Sequence, residues 1–328
     1  MKRLLILTEA GPEIGHGHLS RCRSLASAFG SRGYLIELFV DIQDTMLAAG
    51  ESALQWNKLP DRLQASIRSA DMVIVDSYIV GLELIEKIYD MNHRTVIIDD
   101  YPYRHYRSGV VVDCTVNAEH KAFLPREDGV RYLLGSKYCP LRQAFWSPLI
   151  KTIKEIPSTI LITLGGCDVR ELTKPIAEKM LARFPGVRLA VVLGGQVKAN
   201  NYSRKLSKMG AVVHANLSAM EMCKIMDRAD VAISGGGQTL YELASRGLPA
   251  VVIKLVENQT ADVEAFSSQG FSIYAGEWAA PNLLENIGLG IEKLWTRKER
   301  LSRYQIGRSL VDENGVWRLV SELEKIFE

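Results

Sequence analysis

The segment LLILTEAGPEIGHGHLSRC, residues 4–22, joins an apolar run to the start of a helical pattern through a glycine-rich turn. The run Leu4–Leu7 predicts a buried strand, and the helical pattern continues at Leu19, Cys22, Leu25, Ala26 and Phe29. A glycine-rich turn between a strand and a helix is where an α/β protein usually holds a ligand, because the first amides of the helix have no partner within it. The segment therefore predicts that the chain begins with a strand–turn–helix unit of an α/β fold.

Length and composition limit the class of protein. The 328 residues are enough for two domains of ordinary size. A hydrophobic share of 47% with 24% charged residues is typical of chains that fold around packed cores. The formal net charge is only +2, whereas a protein that binds nucleic acid needs a strongly basic face. We therefore expect a two-domain globular protein without a nucleic-acid partner.

Cysteine usage and the N-terminal residues indicate the compartment. The five cysteines are scattered and form no CxxC pair, so neither a zinc ribbon nor a disulfide framework is expected, and reduced thiols fit the cytoplasm. The first apolar run is too short for a signal peptide and is followed at once by Glu9 and Glu13. No segment reaches the ~18 apolar residues of a membrane span. The sequence predicts a cytoplasmic chain without a transmembrane segment, and it leaves peripheral membrane contact and the oligomeric state open.

Short apolar runs alternate with helical patterns through the first half of the chain. Helical patterns such as Leu82–Tyr89 separate the predicted strands Leu4–Leu7, Leu35–Val40, Met72–Val75, Thr95–Ile98 and Val110–Val112. Alternation of this kind is typical of an α/β fold, in which a mostly parallel sheet has helices on both faces.

The same alternation restarts after a polar segment at Trp146–Pro157, where we place the domain linker. The predicted strands of the second half are Thr159–Thr163, Leu189–Leu193, Val212–His214, Val231–Ile233 and Ala250–Ile253, with a helix at Thr239–Arg246. From about Trp295 the chain reads as helical, with a break near Asp312–Gly315. We therefore predict two Rossmann-like domains, residues 1–150 and 151–328, each with a parallel sheet and with a cleft between them. The terminal helix could return to the first domain.

The turn after the first strand carries a histidine where the helix begins. The helix dipole favours a neutral imidazole at His18, and Gly15 and Gly17 let the backbone approach a ligand. A neutral imidazole that faces a cleft can act as a general base on water or on a sugar hydroxyl. The plainer alternative is that both histidines of the turn are polar turn residues, and we adopt that interpretation for His16.

A second glycine-rich turn follows the strand Val231–Ile233 and opens a helix. It contains Ser234, Gly235, Gly236, Gly237 and Gln238. Three glycines leave amides bare, so a diphosphate could lie across the helix start, and Glu242 could accept hydrogen bonds from ribose hydroxyls. No Gly-Lys-Ser/Thr follows, so this is not a Walker motif. A structural turn with a capping serine or threonine is the alternative.

Polar residues after other strands are further candidates. Asn258 and Gln259 follow the strand Ala250–Ile253, at the end of the sheet where open α/β folds bind ligands. The alternative is that this segment caps the next helix through Thr260 or Asn258. Lesser candidates are Gly165, Gly166 and Asp168 in one turn, and Asp76 and Tyr78 in another.

Two adjacent carboxylates, Asp99 and Asp100, end the fourth strand. Neighbouring residues on a strand point to opposite faces of the sheet, whereas a metal pair would need both carboxylates on one side. We therefore reject a metal site here, and we expect neither a metal nor a cofactor.

Several motifs resemble known enzymes. Residues 234–253 (SGGGQTLYELASRGLPAVVI), with Asn258 and Gln259, resemble the donor-binding half of the GT-B glycosyltransferases, among them the N-acetylglucosaminyltransferase that makes lipid II. Residues 14–22 (IGHGHLSRC) resemble the UDP-sugar hydrolase of pseudaminic acid biosynthesis and its spore-coat-polysaccharide relatives. Further pieces follow in the order of that family: Val75–Tyr78, Ile98–Asp100, Val116–Ala118, Leu134–Tyr138, Leu141–Arg142, Leu164–Asp168 and Val311–Gly315. The resemblance spans nearly the whole chain.

The resemblance implies a GT-B fold and cleavage of a UDP-linked diacetamido-trideoxyhexose to the free sugar and UDP, without a metal. It implies that His18 activates the attacking water. The substrate contacts that it implies are Gly15, Gly17, Tyr78, Asn258 and Gln259. The implied nucleotide contacts are Gly165, Gly166, Ser234, Gly235, Gly236, Gly237, Gln238 and Glu242. The expected partner is thus a small-molecule UDP-sugar.

One departure from the family pattern lies in the first loop. The family usually has an Arg and an Asp just after the first strand, and residues 7–11 here read LTEAG. Loss of that pair could change which sugar fits, or could mean that an acceptor rather than water attacks. The alternative function is therefore a glycosyltransferase in which His18 deprotonates an acceptor hydroxyl, with Arg104–Arg107 in a basic, apolar face. A third hypothesis is a nucleotide-sugar binding module, which would not need His18.

Overall fold

The computed structural model describes residues 1–11, 15–42, 47–100, 104–120, 128–165, 168, 170–194 and 199–328, with the backbone alone at 199–201. These residues form two compact units. Unit 1 comprises Met1–Gln143 and Asn314–Glu328, and unit 2 comprises Ala144–Glu313. None of the helices in these ranges is long and apolar enough to cross a membrane.

Unit 1 contains seven strands in the order β3-β2-β1-β4-β5-β6-β7, and every pairing is parallel. In chain order the elements are β1 (Arg3–Ala10), α1 (Gly17–Ser31), β2 (Leu35–Ile42), β3 (Glu51–Ala53), α2 (Asp61–Ser69), β4 (Met72–Asp76), α3 (Leu82–Met91), β5 (Thr95–Ile98), β6 (Gly109–Asp113) and β7 (Val130–Leu134). Alternate residues of the central strands form one buried cluster with α2 and α3, which includes Leu5, Leu7, Val73, Val75, Leu63, Ile67, Ile85 and Ile88. This cluster stabilises the sheet whose first strand leads to α1 through the glycine-rich segment.

Unit 2 contains six parallel strands in the order β10-β9-β8-β11-β12-β13. Its elements are β8 (Thr159–Thr163), α4 (Thr173–Arg183), β9 (Arg188–Leu193), α5 (Ala199–Lys208), β10 (Val212–Ala215), α6 (Ala219–Arg228), β11 (Val231–Gly235), α7 (Gln238–Ser245), β12 (Ala250–Lys254), α8 (Thr260–Ser268), β13 (Ser272–Glu277), α9 (Leu283–Lys293) and α10 (Arg297–Leu310). The chain ends in α11 (Gly315–Phe327), which belongs to unit 1 and packs on α1.

The strand order reverses at the same point in both sheets. In unit 1, β1 lies between β2 and β4, and in unit 2, β8 lies between β9 and β11. At the carboxyl ends the register pairs Thr8 with Asp76 and Thr163 with Ser234. Open α/β sheets bind ligands at such switch points. The turns that lead into α1 and α7 both begin there.

The predicted α/β fold with a parallel sheet in each half is confirmed. Every predicted strand is present, and the predicted break near Asp312–Gly315 separates α10 from α11. The strands β3, β7 and β13 lie outside the predicted set. All three are edge strands with partly exposed residues, so they lack the continuous apolar run that marks a buried strand.

The boundary between the units lies at Gln143/Ala144, just before the predicted linker. The residues that follow are fastened to unit 2 by arginines. Arg246 donates from Nη1 to the Ser147 carbonyl at 2.8 Å, and Arg300 donates from Nη2 to the Lys154 carbonyl at 2.6 Å. The linker segment therefore forms part of the second unit.

Candidate active site

The first turns of α1 present three polar side chains to one buried carboxylate, that of Asp76 at the end of β4. His18, Arg21 and Cys22 are spaced i, i+3 and i+4, so they share one face of the helix. His18 Nδ1 lies 2.6 Å from Asp76 Oδ1. Arg21 donates from Nε to Oδ2 and from Nη2 to Oδ1, both at 2.6 Å, and the Cys22 thiol lies 3.4 Å from Oδ2. These bonds attach the start of α1 to the switch point of the first sheet.

Asp76 is held in its ionised form. The residue is 0% exposed. Burial by itself raises the pKa of the carboxyl, but the charges of Arg21 and His18 and the hydrogen bonds from both outweigh it, so this pKa lies well below its ordinary value. An ionised carboxylate accepts hydrogen bonds and donates none. His18 Nδ1 therefore donates in this contact, which leaves Nε2 as the nitrogen that can act as a base when it carries no proton.

Tyr78 lies against His18 from the loop after β4. The two ring centroids are 4.2 Å apart and the rings are perpendicular, at 90°. The Tyr78 hydroxyl donates to Asp100 Oδ2 at 2.9 Å, and Arg21 Nη1 lies 3.7 Å from the same oxygen. Burial and then the charge of Asp100 raise the pKa of Tyr78, so the phenol keeps its proton. Tyr78 and Arg21 thus flank His18 and are linked to each other through Asp100.

Glu9, in the loop that departs from the family pattern, has a defined structural place. It lies on β1, it is 2% exposed, and its carboxylate accepts a hydrogen bond from the Tyr78 backbone N–H at 2.7 Å. The Ser77 hydroxyl donates to the same carboxylate. Glu9 therefore links the end of β1 to the loop that carries Tyr78.

Asp99 and Asp100 have different partners. Asp99 accepts a hydrogen bond from the Tyr106 hydroxyl and lies 3.9 Å from Arg104 Nε, whereas Asp100 faces Tyr78. The two carboxylates bind different phenols, although Arg104, which lies near Asp99, also donates to the Tyr78 carbonyl. Within the described ranges, no group of three or more His, Cys, Asp and Glu side chains could hold a metal ion.

The glycines of the first turn leave space beside the backbone. Gly15 donates to the Gly11 carbonyl at 2.7 Å and accepts from its N–H at 3.2 Å, with a φ of +81° that favours glycine. A Cβ at Gly15 or Gly17 would meet no atom within 4 Å. His16 is the N-cap residue, and its side chain makes no capping hydrogen bond. A contact of Gly15 or Gly17 with substrate stays a prediction.

The glycine run after β11 is required in large part by packing. A Cβ at Gly235 would lie 2.7 Å from the Leu255 side chain, and one at Gly236 would lie 2.1 Å from the Val263 side chain. At Gly237 the nearest atom would be 3.7 Å away. Packing against neighbouring side chains therefore accounts for Gly235 and Gly236, whereas Gly237 has space for a Cβ atom.

Ser234 and Gln259 have partners within unit 2. Ser234 is fully buried, and its hydroxyl donates to the next carbonyl at 3.0 Å. Gln259 Oε1 accepts from the N–H of Gly236 at 3.3 Å and from the N–H of Leu255 at 3.0 Å. Because the oxygen binds both amides, the NH₂ group of Gln259 lies beside Gly237.

The remaining residues predicted to contact the nucleotide or sugar have varied exposure. Glu242 is 1% exposed within α7, and Gln238 is the first residue of that helix. Asn258 is exposed in a short 3₁₀ turn, and a Cβ at Gly165 would meet no atom within 4 Å. Gly166 lies outside the described residues. Contacts of these residues with a ligand stay predictions.

Two helix starts in unit 2 differ in their capping. At α4, the Asp168 carboxylate accepts from the N–H groups of Leu172 at 3.0 Å and Thr173 at 2.9 Å, and Tyr202 donates to it at 3.2 Å. The helix α7 begins after Gly237 with no side-chain cap and no acidic residue in its first turn. The start of α4 thus already binds a carboxylate of the chain, whereas the N-cap residue of α7, Gly237, makes no side-chain capping bond.

Sequence reasoning undervalues part of the first network. It treats Arg21 and Cys22 only as members of a motif and Asp76 as a lesser candidate, whereas the structure joins all three to His18. The available signal is the i, i+3, i+4 spacing of polar side chains on a helix that follows β1. A carboxylate at the end of the next buried strand is the natural partner for such a face.

The chain has relatives by sequence and by fold among known proteins. No family model matches the chain. It is 25% identical, over an alignment of 338 positions that covers 98% of each chain, to the "Spore coat polysaccharide biosynthesis protein SpsG" of Bacillus subtilis. It is 23% identical, over an alignment of 292 positions that covers 86% of this chain, to a Helicobacter pylori protein named "Pseudaminic acid cytidylyltransferase and UDP-2,4-diacetamido-2,4,6-trideoxy-beta-L-altropyranose hydrolase". The chain spans 50% of that second protein.

Solved structures share the fold over the full length. MurG of Acinetobacter baumannii has a TM-score of 0.65 at 15% identity, covering 99% of this chain and 100% of its own. The S. aureus MnaA–UDP co-structure has a TM-score of 0.65 at 12% identity, covering 99% of this chain and 97% of its own. At these identities the likeness concerns the fold alone. Together with the two parallel sheets, it shows that the chain has the GT-B fold.

Proposed function

We propose that the chain is a nucleotide-sugar hydrolase that converts a UDP-activated amino-deoxy sugar into the free sugar and UDP. The observation that carries the proposal is the buried pair of His18 Nδ1 and Asp76 Oδ1, 2.6 Å apart at the switch point of the first sheet. The H. pylori relative is named as a hydrolase of a UDP-linked diacetamido sugar, and the S. aureus neighbour was solved with UDP. Both support a nucleotide sugar as the small-molecule partner.

In this mechanism His18 is the general base. Nε2 takes a proton from a water molecule as the water oxygen bonds to the anomeric carbon. The bond from that carbon to the phosphate oxygen breaks, and UDP leaves with the electron pair. Asp76 stabilises the imidazolium that forms, and Arg21 keeps Asp76 ionised so that the proton stays on the ring. A positioned base of this kind contributes about 10²–10⁴-fold to the rate.

The start of α7 is the proposed diphosphate site. The N-cap residue of α7 is Gly237, which has no side chain to cap the helix, and the helix dipole favours negative charge there. UDP gains charge as the glycosidic bond breaks, so amides directed at it stabilise the transition state. In the same proposal Glu242 binds the ribose, and Asn258 and Gln259 contact the sugar or the phosphate.

The sugar itself is assigned to the first unit. Gly15 and Gly17 have open space beside them, which lets a ligand approach the backbone. Tyr78 lies against the base and carries a neutral phenol. These three positions would contact the sugar next to the bond that is cut.

Incubation with a panel of UDP- and CMP-sugars, followed by NMR of the products, tests the proposal. We expect one UDP-linked amino-deoxy sugar to give equal amounts of free sugar and UDP with no acceptor present. Consumption that begins only when a polyol or lipid acceptor is added would contradict the hydrolase and favour a glycosyltransferase that uses the same base. UDP binding with no consumption under either condition would favour a binding module.

A further inference from the structure

The Ser77–Tyr78 turn is held by charged groups on both sides, Glu9 on β1 and Arg104 in the segment between β5 and β6. The sheet order places β4 between β1 and β5. From the β1 side, Glu9 accepts from the Tyr78 N–H at 2.7 Å and from the Ser77 hydroxyl. From beyond β5, Arg104 donates to the Tyr78 carbonyl at 2.7 Å and to the Ser77 carbonyl at 3.3 Å. Donors and acceptors of the turn are therefore both bound to charged side chains.

The Ser77–Tyr78 turn supplies the hydrogen bonds that the buried Glu9 carboxylate receives. Glu9 is 2% exposed, and it forms no ion pair with any residue that the structure describes. A buried carboxylate is unfavourable unless hydrogen bonds replace its water, and the donors that Glu9 has are those of the turn. Its burial is thus linked to the placement of Ser77 and Tyr78.

The Ser77 hydroxyl makes the turn compact. While it donates to Glu9, its oxygen accepts from the backbone N–H groups of Ile79 and Val80, both at 3.2 Å. Because Ser77 joins Glu9 to two backbone amides, a shift of the carboxylate would disturb several hydrogen bonds of the loop at once.

Tyr78 connects the turn to His18, the proposed base, through a contact between their rings. Its ring meets the His18 ring at a centroid distance of 4.2 Å, and its hydroxyl is bound to Asp100 at 2.9 Å. On its other side His18 meets Asp76. The imidazole is thus fixed by a charged partner and by a ring whose backbone Glu9 holds.

We propose that Glu9 is a positioning residue for His18. Glu9 fixes the Ser77–Tyr78 turn, and through the Tyr78 ring it keeps the imidazole in the orientation in which Nδ1 meets Asp76. Its effect on catalysis rests on the proposed function, whereas its effect on the His18 ring does not.

NMR of the histidine side chains tests the placement without any substrate. The His18 signal is identified among six histidines by its loss in H18Q. In E9A, which removes both acceptors, the His18 ring signals should move from their wild-type position toward those of Y78L, because the ring-current shift depends on where Tyr78 lies. E9Q keeps an oxygen for the Tyr78 N–H but loses the acceptor for the Ser77 hydroxyl, so it should restore the wild-type signals in part. If E9A fails to fold, E9D withdraws the carboxylate by one methylene and should give a smaller shift in the same direction.

Asp113 provides the matched control. It ends β6 and accepts from the Thr115 N–H at 2.8 Å and the Thr115 hydroxyl at 2.6 Å, so it binds the same kinds of donor as Glu9. D113A should leave the His18 signals unchanged. Folded E9A with wild-type His18 signals, or D113A with the same shift as E9A, would overturn the proposal.

A double-mutant cycle then measures the effect on turnover. E9A should lower kcat about 10-fold with little change in KM, since a displaced base affects the chemical step. In the Y78L background the same change should lower kcat less than about 2-fold, because Glu9 acts through Tyr78. Absence of turnover in the wild type contradicts the proposed function and leaves the NMR result standing. Turnover in the wild type with unmoved His18 signals in E9A contradicts this inference alone.

Discussion

The two units share a strand order but have different chemistry at the point where it reverses. In unit 1 an ionised carboxylate, Asp76, meets His18 and Arg21 there. In unit 2 the corresponding strand end runs into Gly235–Gly237 and a helix start without a side-chain cap. The topology selects where a ligand can bind, and the residues at that point decide whether the site is suited to move a proton or to hold an anion.

The helices that follow the first strand of each sheet differ in the same way. The N-terminus of α1 has no side-chain cap and carries His18, whereas the N-terminus of α4 is bound by Asp168. A carboxylate of the chain thus occupies the anion position at α4. Because α4 is already bound by a carboxylate of its own unit, we assign the diphosphate to α7 and not to α4.

The largest expected effect comes from removing the base. H18A should reduce turnover by about 10²–10⁴-fold. UDP affinity should stay within about 2-fold of the wild type, because the diphosphate is assigned to unit 2 and not to His18. Product NMR gives the rate, and calorimetry gives the Kd of UDP. H18Q, which keeps much of the side-chain volume, serves as the control for packing. A parallel loss of UDP affinity and turnover would contradict this division of tasks between the units.

The next largest effect is expected on stability, when the charge of Asp76 at the switch point of unit 1 is removed. The pKa of Asp76 is lowered on folding, so its carboxylate stabilises the fold above the unfolded pKa of about 3.9. That stabilisation is lost as the pH falls through the lower pKa of the folded state. D76N should reduce the free energy of unfolding by about 3 kcal/mol at neutral pH, since it removes the buried charge that pairs with Arg21.

Urea denaturation between pH 3 and 7 measures this effect. The wild type should lose stability as the pH falls below about 4, and D76N should show a weaker dependence in that window. D113N, at the end of β6, is the control for loss of a carboxylate elsewhere in the sheet. Equal pH dependence in wild type and D76N would show that the network adds no stability.

A matched pair of glycine variants tests how far packing determines the glycine run after β11 in unit 2. A Cβ at Gly236 would lie 2.1 Å from Val263, whereas one at Gly237 would have 3.7 Å of room. G236A should therefore lose about 1–3 kcal/mol of stability through overpacking. G237A should stay within about 1 kcal/mol of the wild type. Thermal unfolding distinguishes the two, and equal losses would mean that Val263 moves aside.

The sequence predicts the architecture well and the site in part. Buried strands such as β1 and β4 are continuous apolar runs, so their order and type follow from composition and period. His18 is singled out mainly by the resemblance of residues 14–22 to known enzymes, because a histidine at a helix start can also be a polar turn residue, the interpretation adopted for His16. The partners of Glu9 are not identifiable, because they depend on which loops the sheet order brings together. The glycines at 235 and 236 suggest a ligand site by pattern alone, while the neighbouring side chains of Leu255 and Val263 account for them sterically.

The smallest effect is expected at the capped helix start. Asp168→Ala removes the acceptor for the N–H groups of Leu172 and Thr173, so it should cost about 1 kcal/mol of stability, as loss of an N-cap does. D168N, which keeps one acceptor oxygen, should recover part of that loss. UDP affinity should not change in either variant, because the diphosphate is assigned to α7. If D168A instead alters the Kd of UDP, then α4 takes part in anion binding, and the contrast between the two helix starts of unit 2 is wrong.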